Sequence, residues 1–229
     1  FLSLLGITIG IFCIISVMTV IDSLERAIRD NVCTLGNNTV YVQKWTWTFS
    51  SEYPWWKYIN RPIPNLKEYE ALKSRSEFAG AVAFVASTMT STEYNSNSAD
   101  NVALMMASHE YDEIRSFNIE KGRYFTQSES NLGQSVIIIG AGIAERLFGS
   151  QNPVGKEIKA GGNRLTVVGV FKREGEDMFN NSMDEAMLIP INYARTKYDL
   201  SNESFNPFIT VSAKEGVSTE QLIDELTIL

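Results

Sequence analysis

Gly140-Ala141-Gly142 comes closer to a chemical motif than any other stretch of this 229-residue chain. It follows an apolar run, Val136 to Ile139, and opens a helical pattern, so it could begin a turn that cradles a pyrophosphate on a helix N-terminus. The third glycine of such a fingerprint is missing, since Glu145 stands there, and the next strands form a hairpin rather than a βαβ unit with a ribose-binding acid. The expectation is an ordinary strand-to-helix turn. His109 is the only histidine, and no cluster of partners for a metal site or a triad accompanies it. Ser108 and Ser128 lack the G-x-S-x-G setting of an activated serine. Glu174, Glu176, Asp177, Asp184 and Glu185 surround Met178 and Phe179 without calcium-loop spacing, which reads as a solvated acidic loop. Cys13 and Cys33 build neither a disulfide framework nor a zinc motif. No catalytic residue, cofactor site or metal site is expected, and the chain is not read as an enzyme.

Four tryptophans carry more promise. Trp45, Trp47, Trp55 and Trp56 lie in one aromatic stretch that also holds Tyr53, Pro54 and Tyr58. Tryptophans anchor interfaces when exposed and fill cores or loop bases when buried. A contiguous exposed patch of several rings is the feature that separates the two, and these four are the candidate partner-contact residues. Gly6 and Gly10 form a G-x-x-x-G that would let two helices pack closely in lipid, although glycine is also common in membrane helices for other reasons.

Those glycines lie in an uncharged run from Phe1 to Ile21, closed by Asp22. At about 1.5 Å per residue, a helix of that length spans the roughly 30 Å hydrocarbon core of a bilayer. A signal peptide would need a shorter apolar stretch and a small-residue cleavage site, and Asp22-Ser23-Leu24-Glu25-Arg26-Ala27 follows instead. Ile21, Leu24, Ile28 and Val32 keep helical spacing with charges between them, which extends the helix as an amphipathic stalk until Leu35-Gly36-Asn37 stops it. The formal net charge of -7 and the lack of a dense basic patch exclude nucleic acid as a partner.

The remaining residues alternate between strand and helix signals. Strands are expected at Thr39–Phe49, Phe78–Thr90, Asn101–Ala107, Val136–Ile139, Met187–Ile191 and Pro207–Ala213, with a hairpin of Glu157–Ala160 and Leu165–Phe171 around Gly161-Gly162-Asn163. Helices are expected at Leu66–Arg75 behind an Asn65 cap, at Glu110–Phe117, at Gly142–Phe148 and at Gly216–Leu229. That last helix should be capped by Ser218 or Thr219, with Leu222, Ile223 and Leu226 facing inward. Tyr94–Asp100, rich in Asn and Ser, reads as a loop or subdomain joint. The order β-α-β, then a β-rich middle, then β-α, indicates an α+β domain with an insertion.

The middle of the chain carries an ordered series of short segments: Gly122-Arg123-Tyr124-Phe125-Thr126, Ser135 to Gly140, Ala144 to Gly149, Asn152-Pro153-Val154-Gly155-Lys156-Glu157-Ile158, and Leu165 to Val170. The series resembles the MacB-like periplasmic core domain of ABC-transporter permeases, with its G-R-x-F-T, V-x-[IV]-x-G, A-x-x-L-F-G, x-P-[VI]-G-K-x-I and F-x-V-[IV]-G-V pieces. Leu4 to Gly10, Leu35-Gly36-Asn37-Asn38 and Met187-Leu188-Ile189-Pro190 resemble flanking pieces of the same family. Phe49 to Pro64 departs from it by being longer and more aromatic.

The resemblance implies an N-terminal transmembrane helix with stalk (1–31) and a porter-like βαβ subdomain (32–95 and 205–229) interrupted by an inserted β-rich subdomain (96–204). It implies a permease subunit of the bacterial inner membrane whose soluble domain stands in the periplasm. The chain would convey ATP-driven conformational change for efflux or export, with ATP hydrolysed on a nucleotide-binding part outside this chain. Implied partners are membrane lipid, a second permease subunit in a homodimer or heterodimer, an ATP-binding cassette subunit and a periplasmic adaptor protein. Two other functions stay open from the residues: a membrane-anchored extracytoplasmic sensor or interaction module, and a secreted enzyme with a signal anchor.

Overall fold

The computed structural model describes residues 6, 10–23, 39–45, 56, 58–175 and 182–229. Residues 1–37 and 38–229 form two separate units. In the first, residues 10–23 are helical. Ile11, Phe12, Ile14, Ile15, Val17, Met18, Val20 and Ile21 are all more than half exposed. The Thr19 hydroxyl donates to the Ile15 carbonyl at 2.8 Å, so this hydroxyl is satisfied within the helix. Among the described residues no helix is long and apolar enough to cross a membrane. The stalk beyond Ser23 lies outside the described residues.

The second unit begins with β1 (Thr39–Val42), α1 (Leu66–Arg75), β2 (Ala79–Tyr94) and β3 (Asn97–Ala107). Then come α2 (Tyr111–Arg115), β4 (Ile119–Gly122), α3 (Gln127–Leu132), β5 (Val136–Ile139) and α4 (Ala141–Phe148). The chain closes with β6 (Glu157–Ala160), β7 (Asn163–Phe171), β8 (Ala186–Pro190), α5 (Ile191–Ala194), β9 (Phe208–Ala213) and α6 (Thr219–Ile228). The strands form one sheet in the order β1-β9-β2-β3-β8-β5-β7-β4, with β6 bridging β2 and β7.

Local chemistry accounts for the helix starts. The Asn65 side chain accepts from the amides of Lys67 and Glu68 at 2.9 and 3.0 Å, and the Glu68 carboxylate accepts from the Asn65 amide. This capping box satisfies donors that a first turn leaves orphaned. Tyr69 is buried, with Leu66 and Leu72 packed on the same core. Ser218 and Gln221 form the same device at α6. On α6, Leu222 is fully buried and Leu226 packs against the core, but Ile223 is 46% exposed. The expectation for Ile223 is thus corrected: residues four apart share a stripe, and the next position lies about 100° away.

β2 explains the depth of the core. Val82, Phe84 and Ala86 point to one face, where Tyr69 and Leu222 meet them; Ala81, Ala83 and Val85 point to the other, with Tyr111 and Ile114 of α2. A strand covered on both faces has no solvent side, hence its continuous apolar run. The polar stretch Tyr94–Asp100 is a correction. It is not a loop but the tip of a long hairpin, in which Asn95 takes φ 53 and Tyr94 pairs with Asn97. Thr92 and Ala99 are buried there while their neighbours face water, so alternation hid the strand. β4 and α3 were not expected from the sequence, although the Thr126-x-x-Glu129 box marks α3.

The far end of β2 pairs with β6, Thr92 with Ala160 and Glu93 with Lys159. With β6 on β7, the pairings β2-β3-β8-β5-β7-β6 return to β2 and close a ring of six strands. Closure removes the free edges that the two flanks of this segment would otherwise present.

Candidate functional site

The signature segments meet at one place. Gly122 ends β4 with φ +78, and a Cβ there would sit 2.2 Å from the Val168 carbonyl oxygen. Only glycine allows the following residues to lie against β7. Arg123 then reaches Glu129 through two parallel hydrogen bonds, 2.6 and 2.7 Å. Glu129 also accepts from the Thr126 amide at 2.7 Å, and the Thr126 hydroxyl accepts from the Glu129 amide. Phe125 is 1% exposed beneath this knot. The Arg123 guanidinium, aided by the Thr126 amide and hydroxyl, holds the Glu129 carboxyl at about 2 against a usual 4.5. The segment frames α3; its charges are spent on one another.

Gly140-Ala141-Gly142 does open α4, yet it offers no phosphate cradle. A Cβ at Gly140 would meet the carbonyl oxygens of Asp184 and Met183 at 2.1 and 2.2 Å, and Gly142 faces the Glu185 carboxylate. Backbone oxygens and acids fill the place where an anion would sit. The acidic zone is likewise engaged: Asp184 accepts from the amides of Glu174 and Gly175 at 3.0 Å each, and Glu185 pairs with Arg146. Glu176, Asp177, Met178 and Phe179 lie outside the described residues. Among the described residues no group of three or more His, Cys, Asp or Glu could hold a metal ion. The Ser108 hydroxyl accepts from the Phe84 amide at 3.1 Å, and the His109 ring packs beside Tyr124 and Phe125. Burial keeps the Tyr124 hydroxyl protonated, raising it above its usual value.

The tryptophan candidates divide. Trp45 is half-buried beside a hollow of about 250 Å³ that Ile63, Pro207 and Phe208 also line. Beneath it Lys44 is only 8% exposed, its ammonium 2.8 Å from Glu203 and 5.3 Å from the centre of the Trp45 ring. Trp56 is 60% exposed. Trp47 and Trp55 lie outside the described residues. Gly6 and Gly10 are exposed, with open space where a Cβ would project.

Sequence reasoning missed three polar joints. Lys44–Glu203 ties the end of β1 to the turn before β9. Glu110 pairs with Lys73, and the Tyr69 hydroxyl donates to Glu110 at 3.2 Å, joining α1 to the start of α2. Glu225 of α6 accepts three hydrogen bonds from residues 76–78. Each pair is distant in sequence, and no local pattern announces it.

Comparison with known proteins agrees with this architecture. A sequence model described as the MacB-like periplasmic core domain matches residues 1–229. The macrolide export ATP-binding/permease protein MacB of Neisseria meningitidis is 25% identical over 224 residues, covering 96% of this chain and 32% of that protein. The protein of the same name from Rhodopirellula baltica is 28% identical over 192 residues, 82% of this chain and 27% of that protein. The chain thus spans about a third of the curated relatives it matches. Among solved structures, the periplasmic region of MacB from Actinobacillus actinomycetemcomitans shares the fold with a TM-score of 0.69 at 16% identity, covering 86% of this chain and 85% of that one. The extracellular domain of the ABC-type transporter YknZ from Gram-positive bacteria gives 0.58 at 23% identity, covering 71% and 80%. Fold and signature together define a periplasmic domain of the ABC-transporter permease class. The chain belongs to the MacB-like periplasmic core domain family.

Proposed function

We propose that this chain is the leading membrane helix and periplasmic core domain of an ABC-transporter permease, and that it works by conveying motion rather than by covalent chemistry. The observation that carries this is the family match across all of residues 1–229, which includes the apolar N-terminal run as well as the folded domain. In this proposal residues 1–31 are the inner-membrane helix and its stalk, 32–95 with 205–229 the porter-like part, and 96–204 the β-rich insert. ATP hydrolysis on a nucleotide-binding subunit or domain outside this chain moves the helix, and the stalk swings the periplasmic domain against a substrate or an adaptor protein. A continuous helix suits that task because it is a stiff lever. Gly6 and Gly10 supply a close-packing surface to a second permease subunit in lipid, and Trp45, Trp47, Trp55 and Trp56 supply a contact to a partner. The relatives' names, with ATP-binding and permease functions joined and macrolide export as the activity, support efflux or export as the outcome.

The test is a proline in the stalk. Arg26→Pro removes a helix hydrogen bond and clashes with the preceding turn. In the assembled transporter it should leave ATP hydrolysis running while export of a transported substrate falls. Unchanged export per ATP would overturn the lever.

A further inference from the structure

One exposed corner of the domain is bonded far more heavily than its burial requires. Residues Ser76 to Phe78 link α1 to β2, and the half-buried Glu225 of α6 grips all of them. Its Oε2 accepts from the Ser76 hydroxyl at 2.5 Å and from the Phe78 amide at 3.2 Å; its Oε1 accepts from the Glu77 amide at 2.6 Å. The Ser76 oxygen in turn accepts from the Ala79 amide at 3.0 Å, the first residue of β2. Lys214, just past β9, closes the corner from the other side: its ammonium donates to the Glu77 carbonyl at 2.6 Å and its amide to the Phe78 carbonyl at 2.9 Å. One carboxylate on α6 therefore holds the root of β2.

β2 is the longest strand of the molecule's described part, 16 residues or roughly 50 Å when extended. It pairs with β9 near its root, with β3 along its later half and with β6 at its tip. Its two register irregularities fall between Ala79 and Ala81 and between Thr90 and Thr92, next to the root and next to the tip. Between them β9 pairs the strand up to Val85 and β3 pairs it from Val85 on, and Ala81 to Ala86 are buried, so the middle of the strand is held from both sides in turn. Bulges bend strands locally, so bending concentrates at the two ends.

We propose that Glu225 is a mechanical joint through which displacement of α6 reaches β2 and, through it, the six-stranded ring. This rests on the motion-conveying function proposed above and names the residue that couples helix to sheet. Leu222 and Leu226 hold α6 laterally by apolar contact, which resists sliding poorly; directional hydrogen bonds to a fixed corner resist it well. A neutral side chain cannot accept three donors at once in this geometry, because a carboxylate presents two equivalent acceptor oxygens and an amide only one.

The test uses the full-length permease assembled with its nucleotide-binding partner in membranes, with Cys13 and Cys33 replaced by serine. Spin labels at Asp224→Cys on α6 and Glu93→Cys at the tip of β2 should give one narrow distance distribution throughout the nucleotide cycle. Glu225→Ala removes all three hydrogen bonds and should broaden that distribution and lower export per ATP at least about tenfold. The melting temperature should fall by no more than about 5 °C. Glu225→Gln, which keeps the size and one acceptor, should fall between Ala and wild type in both readings. A distribution as narrow in Glu225→Ala as in wild type, or unchanged coupling, overturns the joint. If Glu225→Ala unfolds the domain, the Gln variant decides by the same two readings. Should Arg26→Pro lower coupling while the Glu225 variants do not, the joint fails and the lever stands; if neither lowers it, the motion-conveying function fails as well.

Discussion

Glu129 shows how a single side chain of the signature acts. It caps α3 and receives both arms of Arg123, so its carboxyl titrates at about 2 instead of near 4.5. A carboxyl whose folded value is depressed adds stability above its usual value, and that stability is lost as pH falls through the folded value. Arg123 is half exposed, so water screens the pair and its worth is about 1 kcal/mol. Glu129→Gln should melt about 3 °C below wild type at pH 7, and the gap should close as pH falls from about 5 to about 2. A gap that stayed constant over that range would assign the loss to packing instead. The residue was quoted by neither the resemblance nor the chemistry of the sequence, because an Arg and a Glu six apart look like any surface pair until Gly122 turns the chain.

At the scale of elements, legibility followed locality. Leu66–Arg75 stood in the sequence with both its bounds, since Asn65, Glu68 and the apolar spacing all act within one helix. Its cap is testable by itself: Asn65→Ala should cost about 1 kcal/mol, seen as a drop of about 3 °C in thermal melting followed by circular dichroism. No change would mean that Tyr69 and Leu72 hold the helix without the cap. The hairpin of β6 and β7 was legible for the same reason, through Gly161-Gly162. The β2–β3 tip was not. Asn95 and Ser96 make its turn, but the polar residues around them belong to strands whose inner positions, Thr92 and Ala99, are buried, and Leu147 and Phe148 of α4, about 50 residues further along the chain, pack at this tip.

The whole domain is organised by ring closure. β6 joins β7 to β2, and the Gly161 amide donates to the Ser91 carbonyl at 3.1 Å beside that seam. A proline at the seam would remove a donor and restrict the backbone where two strands meet. Ala160→Pro should therefore lower the melting temperature by about 8 °C, and hydrogen exchange should show the amides of β6 and of the β2 tip losing protection together. Loss confined to β6 would mean that the ring does not behave as one unit.

The sequence by itself determined the class of protein: an apolar leader, an acidic α+β domain and a series of glycines, prolines and apolar residues whose order marks the family. Those signals are local, because caps, turns and alternation act over a few residues and leave their imprint on neighbours in the chain. Only the tertiary structure decided what those pieces join. The closing of β6 onto β2 and the grip of Glu225 on Ser76 link residues about 70 and 149 positions apart, and the order of the strands joins others as distant. Such links depend on where separate elements come to rest in space, and a carboxylate on one helix carries no local sign of the amides that another segment will bring to it.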